Sequence, residues 1–290
     1  MSTDNLIKLQ PNHLNEINLQ ENTLEYFGNW VNEIEKLKNK FLNAEPFEHI
    51  VIDNFLDESY ANELYNLFPT TYDNWYKYEN PIEVKYAYDN INNLHEKMRN
   101  FFYFLSSDKM VDIFRKITDI NDLIFDEYLH GAGLHCHPRS GKLNIHLDYE
   151  KHPLSGKERR LNIIYFLTKD WNDEWNGQNE LWDKDAKSCV VKTGVRFNKA
   201  IVFKTNDISW HGLPEQILCP EDKFRKSMAF YYVSPLTNKK NEENYRKKAQ
   251  YIITDEKEKG NKGLRTLCEI RANRRLEKED IDTYYPDWKK

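Results

Sequence analysis

The chain has 290 residues, of which 39% are hydrophobic, 14% aromatic and 31% charged, enough for one large or two small domains. A net charge of −5 and a pI near 6.0 give no general affinity for polyanions, so nucleic-acid binding is not favoured. No segment approaches membrane-spanning length, the N-terminal Met-Ser-Thr-Asp-Asn-Leu-Ile-Lys lacks the apolar stretch of a signal peptide, and Cys136, Cys189, Cys219 and Cys268 form no Cys-x-x-Cys pair, which favours a reduced, cytoplasmic setting over a disulfide framework.

Residues 1–45 are rich in Asn, Glu and Lys, and Leu24, Phe27, Trp30, Val31, Ile34, Leu37 and Phe41 recur at helical spacing. This spacing predicts one amphipathic helix ending before Pro46. Residues 47–56 read as a strand. Asp57 or Ser59 offers an N-cap for a helix through Leu64, Leu67 and Phe68. Residues 71–95, dense in Tyr, Trp and Asn, show little periodicity and read as irregular structure or short strands. A second helical stripe runs over 98–118, from Met98 through Phe101, Leu105 and Phe114 to Ile117.

From about Leu123 the period changes to two, with glycines and prolines between runs. The expected strands are 123–130, 132–137, 142–148, 160–167, 179–182, 189–192, 200–204, 209–211, 214–218 and 225–233. Many short strands at hairpin-like spacing suggest a jelly roll or barrel. Residues 238–290 are dense in Lys, Arg and Glu and read as helices around Tyr245, Tyr251, Leu264, Leu267 and Ile270. Three segments follow: an N-terminal helical and lead-in strand region over 1–122, a β core over 123–237, and a charged helical extension over 238–290.

In Lys142-Leu-Asn-Ile-His146-Leu-Asp148, strand alternation puts His146 and Asp148 on one face. His211 follows in Ser-Trp-His-Gly. Alone, the His-x-Asp pair is a weak motif. With a second histidine on another predicted strand, it becomes two imidazoles and one carboxylate capping one face of a metal, the ligand set of non-heme Fe(II) oxygenases. Such a site leaves positions for a chelating 2-oxo acid and for O2. His135-Cys136-His137 is a rival set, but it has no carboxylate at matching spacing and reads as cavity lining. His152 follows in a loop and is expected to be exposed. His13, His49, His95 and His130 have no partner pattern.

Downstream, Arg225 and Ser227 share a strand face while Lys226 points away. The planar guanidinium of Arg225 matches a carboxylate bidentately, and Ser227 adds a hydroxyl. A buried Arg needs an anion, which the distal carboxylate of 2-oxoglutarate would supply.

At this point the chain resembles the Fe(II)- and 2-oxoglutarate-dependent oxygenases, and within them the prolyl 4-hydroxylase-like group. The resemblance runs from about Asp126 to Pro235, where Arg160–Trp171 and Gly177–Trp182 are similar stretches, and it includes the lead-in Phe47–Leu56. It implies a mainly β, α+β fold: a double-stranded β-helix (jelly roll) with flanking helices at both ends. It further implies that His146, Asp148 and His211 are the catalytic iron ligands, and that Arg225, Ser227 and Asn162 bind 2-oxoglutarate. The cosubstrates would be 2-oxoglutarate and O2, with ascorbate as a candidate reductant. Two positions depart from the group. Phe166 stands where the oxygen-sensing prolyl hydroxylases place a cosubstrate-binding Tyr, and Gly177-Gln178 replaces the usual Gly-Gly. Retention of Asp148 argues against a halogenase.

The activity so implied is hydroxylation of a C–H bond with release of succinate and CO2, on a prolyl or other peptidyl residue. The alternatives are the same chemistry on a small molecule or saccharide precursor, and a non-catalytic cupin-like ligand-binding module. The loop Tyr149–Arg159 is a candidate lid. Trp75, Tyr76, Tyr78, Tyr86 and Tyr88 are candidate entrance residues, although aromatic clusters are more often core.

Overall fold

The computed structural model describes Leu9, residues 23–237 and residues 239–288. The N-terminal reading of residues 1–8 and the reading of His13 lie outside the described residues. Among the described residues, thirteen strands form one antiparallel sheet, rolled into a nearly closed barrel, and six α-helices flank it. The mainly β architecture with helices at both ends is the one expected.

Three strands precede the core: β1 (His49–Asp53), β2 (Tyr76–Glu79) and β3 (Glu83–Tyr88). The core strands are β4 (Ile124–Phe125), β5 (Gly133–His137), β6 (Lys142–Leu147), β7 (Glu158–Phe166), β8 (Asn179–Trp182), β9 (Cys189–Thr193), β10 (Lys199–Lys204), β11 (His211–Leu213) and β12 (Arg225–Ser234), with β13 (Gln250–Tyr251) in the tail. The strand order is β1-β10-β7-β12-β5-β3-β6-β11-β8-β9. Strand β3 joins the two halves of the roll, pairing with β5 at one end and β6 at the other.

The N-terminal stripe does not make one helix. It forms two short 3-10 turns, Thr23–Tyr26 and Asn29–Asn32, and then α1 (Ile34–Leu42). The break falls at Gly28, whose N–H donates to the Phe55 carbonyl. The backbone passes so close to Asn54 that a Cβ there would overlap its carbonyl. Asp57 caps α2 (Glu58–Leu67) by accepting from the amides of Ser59 and Tyr60. The second stripe divides into α3 (Glu96–Ser106) and α4 (Asp108–Thr118), because the Ser107 hydroxyl caps α4. In the tail, Leu264, Leu267 and Ile270 lie on α5 (Lys262–Arg271), followed by α6 (Lys278–Tyr284). Tyr251 lies on a strand instead of a helix.

Two expected strands shrink or vanish. Over 123–130 only two residues pair, because the Asp126 carboxylate accepts from the amides of Tyr128 and His130 and turns the chain. No strand forms over 214–218, where Pro214 brings no N–H to a ladder.

Alternation along β7 and β12 sets the inside and the outside. Leu161, Ile163 and Tyr165 on β7, and Met228, Phe230 and Tyr232 on β12, join the main apolar core with α3 and α4. Each such fully buried side chain contributes about 1.5–3 kcal/mol. The alternate residues, Asn162 and Ile164, and Arg225, Ser227 and Ala229, line a cavity inside the roll.

Candidate metal and cosubstrate site

His146 on β6 and His211 on β11 are directly opposed in the antiparallel ladder. Gly212 makes this approach possible, since a Cβ there would lie 2.7 Å from the Leu143 carbonyl oxygen. Asp148 follows just past the end of β6. Its two carboxylate oxygens each lie 3.8 Å from an imidazole Nε2, one of His146 and one of His211. One ligand atom from each residue falls within 4.8 Å of the others, and among the described residues this is the one group found with such spacing.

Bonds to backbone carbonyls fix how the rings present themselves. Nδ1 of His146 lies 2.9 Å from the Asn144 carbonyl oxygen, and Nδ1 of His211 lies 2.9 Å from that of Ser209. A carbonyl only accepts, so each Nδ1 carries the proton and each Nε2 turns a lone pair toward Asp148. Burial holds His146 near about 3 and also lowers His211, so both rings are neutral at pH 7. Burial works against ionisation of Asp148, but the charge of Arg159 and the neighbouring histidines hold it below the usual carboxylate range. Two neutral imidazoles and an ionised carboxylate are the protonation states that a divalent cation requires. The donor set therefore fits iron.

Asn162 and Arg159 brace the carboxylate. The Asn162 amide donates to Asp148 Oδ2 at 3.2 Å, and an Arg159 guanidinium nitrogen lies 3.3 Å from Oδ1. Arg159 is sandwiched between the rings of Tyr149 and Tyr231, 3.6 and 3.5 Å from their centres. Asn162 thus faces the cavity as expected, and its contact there is with Asp148.

Arg225 is 2% exposed and has no carboxylate partner among the described residues. Its Nε donates to the Gly177 carbonyl at 2.7 Å, and its charge lies over the Phe166 ring. Burial pulls its pKa down to about 10. Ser227 lines the same cavity, and Lys226 points away toward Tyr65 and Phe68, as alternation requires. Across the ladder, His137 opposes Arg225 and His135 opposes Ser227. Both histidines line the cavity, in keeping with the lining role, and burial keeps both well below the ordinary imidazole value. His137 leaves both ring nitrogens buried without a hydrogen-bond partner, and Asn179 leaves its Nδ2 so. Phe166 itself packs in a second apolar cluster behind the cavity.

The C-terminal extension closes one wall. Tyr251 on β13 pairs with His146 on β6 and stacks on its ring at 5.0 Å. Arg246 donates to the Asp148 carbonyl, and Glu150 accepts from Lys240 and the Arg246 amide. None of these contacts was expected from sequence. The histidine-poor, charged composition of the tail carried no signal beyond two isolated tyrosines. Of the candidate entrance residues, Tyr76 and Tyr78 line the cavity, while Trp75, Tyr86 and Tyr88 pack against the core. His152 is not exposed. It is fully buried, with Nδ1 accepting from the amides of Leu154 and Ser155, and Nε2 3.1 Å from Asp126 without hydrogen-bond alignment. It anchors the loop after Asp148. His130, expected to be without partners, also borders the cavity.

Residues 132–233 match the family model of the 2OG-Fe(II) oxygenase superfamily. That matched stretch is a 2OG-Fe(II) oxygenase domain. Its fold is that of a prolyl hydroxylase from Trichoplax adhaerens, solved with a hypoxia inducible factor peptide fragment, at 17% identity and a TM-score of 0.53 over 73% of this chain and 96% of that one. A Pseudomonas putida prolyl-4-hydroxylase aligns at 12% identity and a TM-score of 0.47, over 70% and 100% of the two chains. HygX of Streptomyces hygroscopicus, solved with nickel, 2-oxoglutarate and hygromycin B, aligns at 14% and 0.42 over 65% and 83%. No curated protein matches the chain. Among the described residues no helix of this oxygenase is long and apolar enough to cross a membrane. Fe(II), 2-oxoglutarate and O2 are its cofactor and cosubstrates.

Proposed function

We propose that this dioxygenase hydroxylates a C–H bond of a prolyl or other peptidyl residue, with His146, Asp148 and His211 as its iron ligands. The observation that carries the metal assignment is the pair of Nδ1-to-carbonyl bonds, which leaves both Nε2 lone pairs facing one ionised carboxylate. Iron with bound 2-oxoglutarate would supply the oxidising power, with succinate and CO2 as coproducts. Asn162 and Arg159 hold Asp148 ionised and oriented. Arg225 would take the distal carboxylate of 2-oxoglutarate, with Ser227 beside it. His137 and Asn179 complete that pocket in place of the tyrosine hydroxyl that Phe166 lacks, since both leave buried polar atoms unpartnered there. The tail wall at Tyr251 keeps water from one side of the site.

A second reading, the same chemistry on a small molecule or saccharide precursor, is favoured by how closely the tail encloses a cavity of about 230 Å³. A segment order of helical lead-in, oxygenase core and charged extension, and a cytoplasmic location with four free cysteines, belong to the same proposal. Ascorbate is the reductant to supply in assays. The test is succinate formation from 2-oxoglutarate with added Fe(II) in air. His146→Ala and Asp148→Ala should each abolish it, and undiminished turnover would refute the ligand assignment. Mass spectrometry of peptide and metabolite extracts after incubation should show a gain of one oxygen on the substrate.

A further inference from the structure

The cavity has a charge opposite to that of the chain. Seven cationic side chains and three carboxylates line it, in a protein of net charge −5. Arg225 lies among the cosubstrate residues. The other cations are Lys85, Arg159, Lys247, Lys248, Arg271 and Arg275, and the carboxylates are Glu83, Asp89 and Asp148. Loading the site with a divalent iron and a dianionic 2-oxoglutarate adds no net charge. The positive excess therefore survives loading and faces the next molecule to enter, in a cleft that focuses the field.

The outer cations are also under-neutralised one by one. Glu83 is 1% exposed and serves two of them: Arg271 Nε at 2.8 Å and Lys85 Nζ at 3.8 Å. Among the described residues, Arg275, Lys247 and Lys248 form no ion pair with a carboxylate, although Lys247 acts on Glu242 from farther off. Tyrosine faces hold the cations in place. Arg275 lies 4.2 Å from the ring centre of Tyr76 and 5.7 Å from that of Tyr78, and Lys85 lies 5.0 Å from Tyr78. Arg271 lies 5.2 Å from Tyr251, the ring that stacks on His146. Ring stacking orients a cation and leaves its charge and its N–H edges available. The cluster is thus one aromatic ring removed from the proposed iron. A second cavity of about 410 Å³ shares Tyr76, Tyr78, Glu83 and Arg275 with the first, so the groove continues past the cations.

We infer that the substrate is anionic, and that Arg275, Arg271 and Lys85, seated on Tyr78 and Tyr251, receive its phosphate or carboxylate groups while the carbon to be oxidised lies toward His146. The inference rests on the oxygenase reading of the same site and narrows its substrate class. An uncharged prolyl peptide would leave the excess unbalanced. A phosphorylated small molecule and an acidic peptide would both balance it.

The test is calorimetric titration of the intact protein, loaded anaerobically with Fe(II) and 2-oxoglutarate, with three probes: inorganic pyrophosphate, a hexaglutamate peptide and an uncharged proline-containing peptide. An anionic probe should bind, and its affinity should fall steeply as salt rises. Arg275→Gln combined with Lys248→Gln should weaken it by about tenfold or more and leave 2-oxoglutarate affinity unchanged. Tighter binding of pyrophosphate assigns the phosphorylated source, and tighter binding of hexaglutamate the peptide. Binding of neither anion, or equal binding by the double variant, overturns the inference while 2-oxoglutarate binding stands. Failure of 2-oxoglutarate itself to bind overturns the oxygenase reading beneath it.

Discussion

Replacement of Arg225 by Met should separate folding from cosubstrate binding with opposite signs. Burial lowers the pKa of this guanidinium to about 10, which corresponds to about 3 kcal/mol of destabilisation of the charged form at neutral pH. Its hydrogen bond to the Gly177 carbonyl offsets about 1–3 kcal/mol of that. Met preserves much of the volume and removes the charge. The protein without cosubstrate should therefore be unchanged or up to about 2 kcal/mol more stable, unlike most changes at a fully buried large side chain. Removal of one partner from a buried charge pair costs about 2–5 kcal/mol of binding, so 2-oxoglutarate should bind about thirtyfold more weakly or worse. Thermal melts with and without 2-oxoglutarate measure both quantities in one experiment. Wild type should gain melting temperature on adding it, and Arg225→Met should start as high and gain nothing. Affinity within about threefold of wild type, or a large loss of stability before any cosubstrate is added, would refute the assignment of Arg225 as an uncompensated cation awaiting an anion.

His137→Ala and Asn179→Ala should each weaken 2-oxoglutarate binding by about tenfold, the worth of one charge-assisted hydrogen bond, and unchanged dissociation constants would place the unpartnered atoms outside the pocket. The buried His135 and His137 resist protonation in the fold, so their contribution to stability is complete above their ordinary value and is lost as pH falls below it, at about 1.4 kcal/mol per pH unit for each. Melts of the metal-free protein from about pH 7 to 5 should show that decline, and His137→Phe should make it shallower; an unchanged slope would contradict the burial argument. Tyr251→Ala should remove the ring stacked on His146 and weaken Fe(II) binding by about tenfold, with Tyr251→Phe behaving as wild type; equal metal affinity in all three would reduce the tail wall to packing alone.

The clustering of His146, Asp148 and His211 was legible because its signal is local. Alternation along β6 needs only the sequence to put His146 and Asp148 on one face, and β12 does the same for Arg225 and Ser227. His211 was legible as a histidine on a separate run, and the ladder then set it against His146. Asn162 was placed correctly on the inner face, but its partner proved to be Asp148. The same local logic failed where long-range contacts overrule spacing. Gly28 broke an otherwise regular helical stripe because its backbone meets Asn54. His152 looked like a loop residue and is buried beside Asp126, 26 residues earlier in the chain.

Sequence by itself determined the period-two core, the two histidines with their carboxylate, and the buried arginine, because strand alternation is a property of the backbone and needs no partner. Tertiary structure alone decided what surrounds them. It brought Tyr251 and Arg246 from the tail onto His146 and Asp148, and it gathered cations from β3, β7 and α5 around one cavity. A net charge of −5 gave no sign of that gathering. Charge summed along a chain says nothing of where folding concentrates it, and the field at a site depends on distance in space.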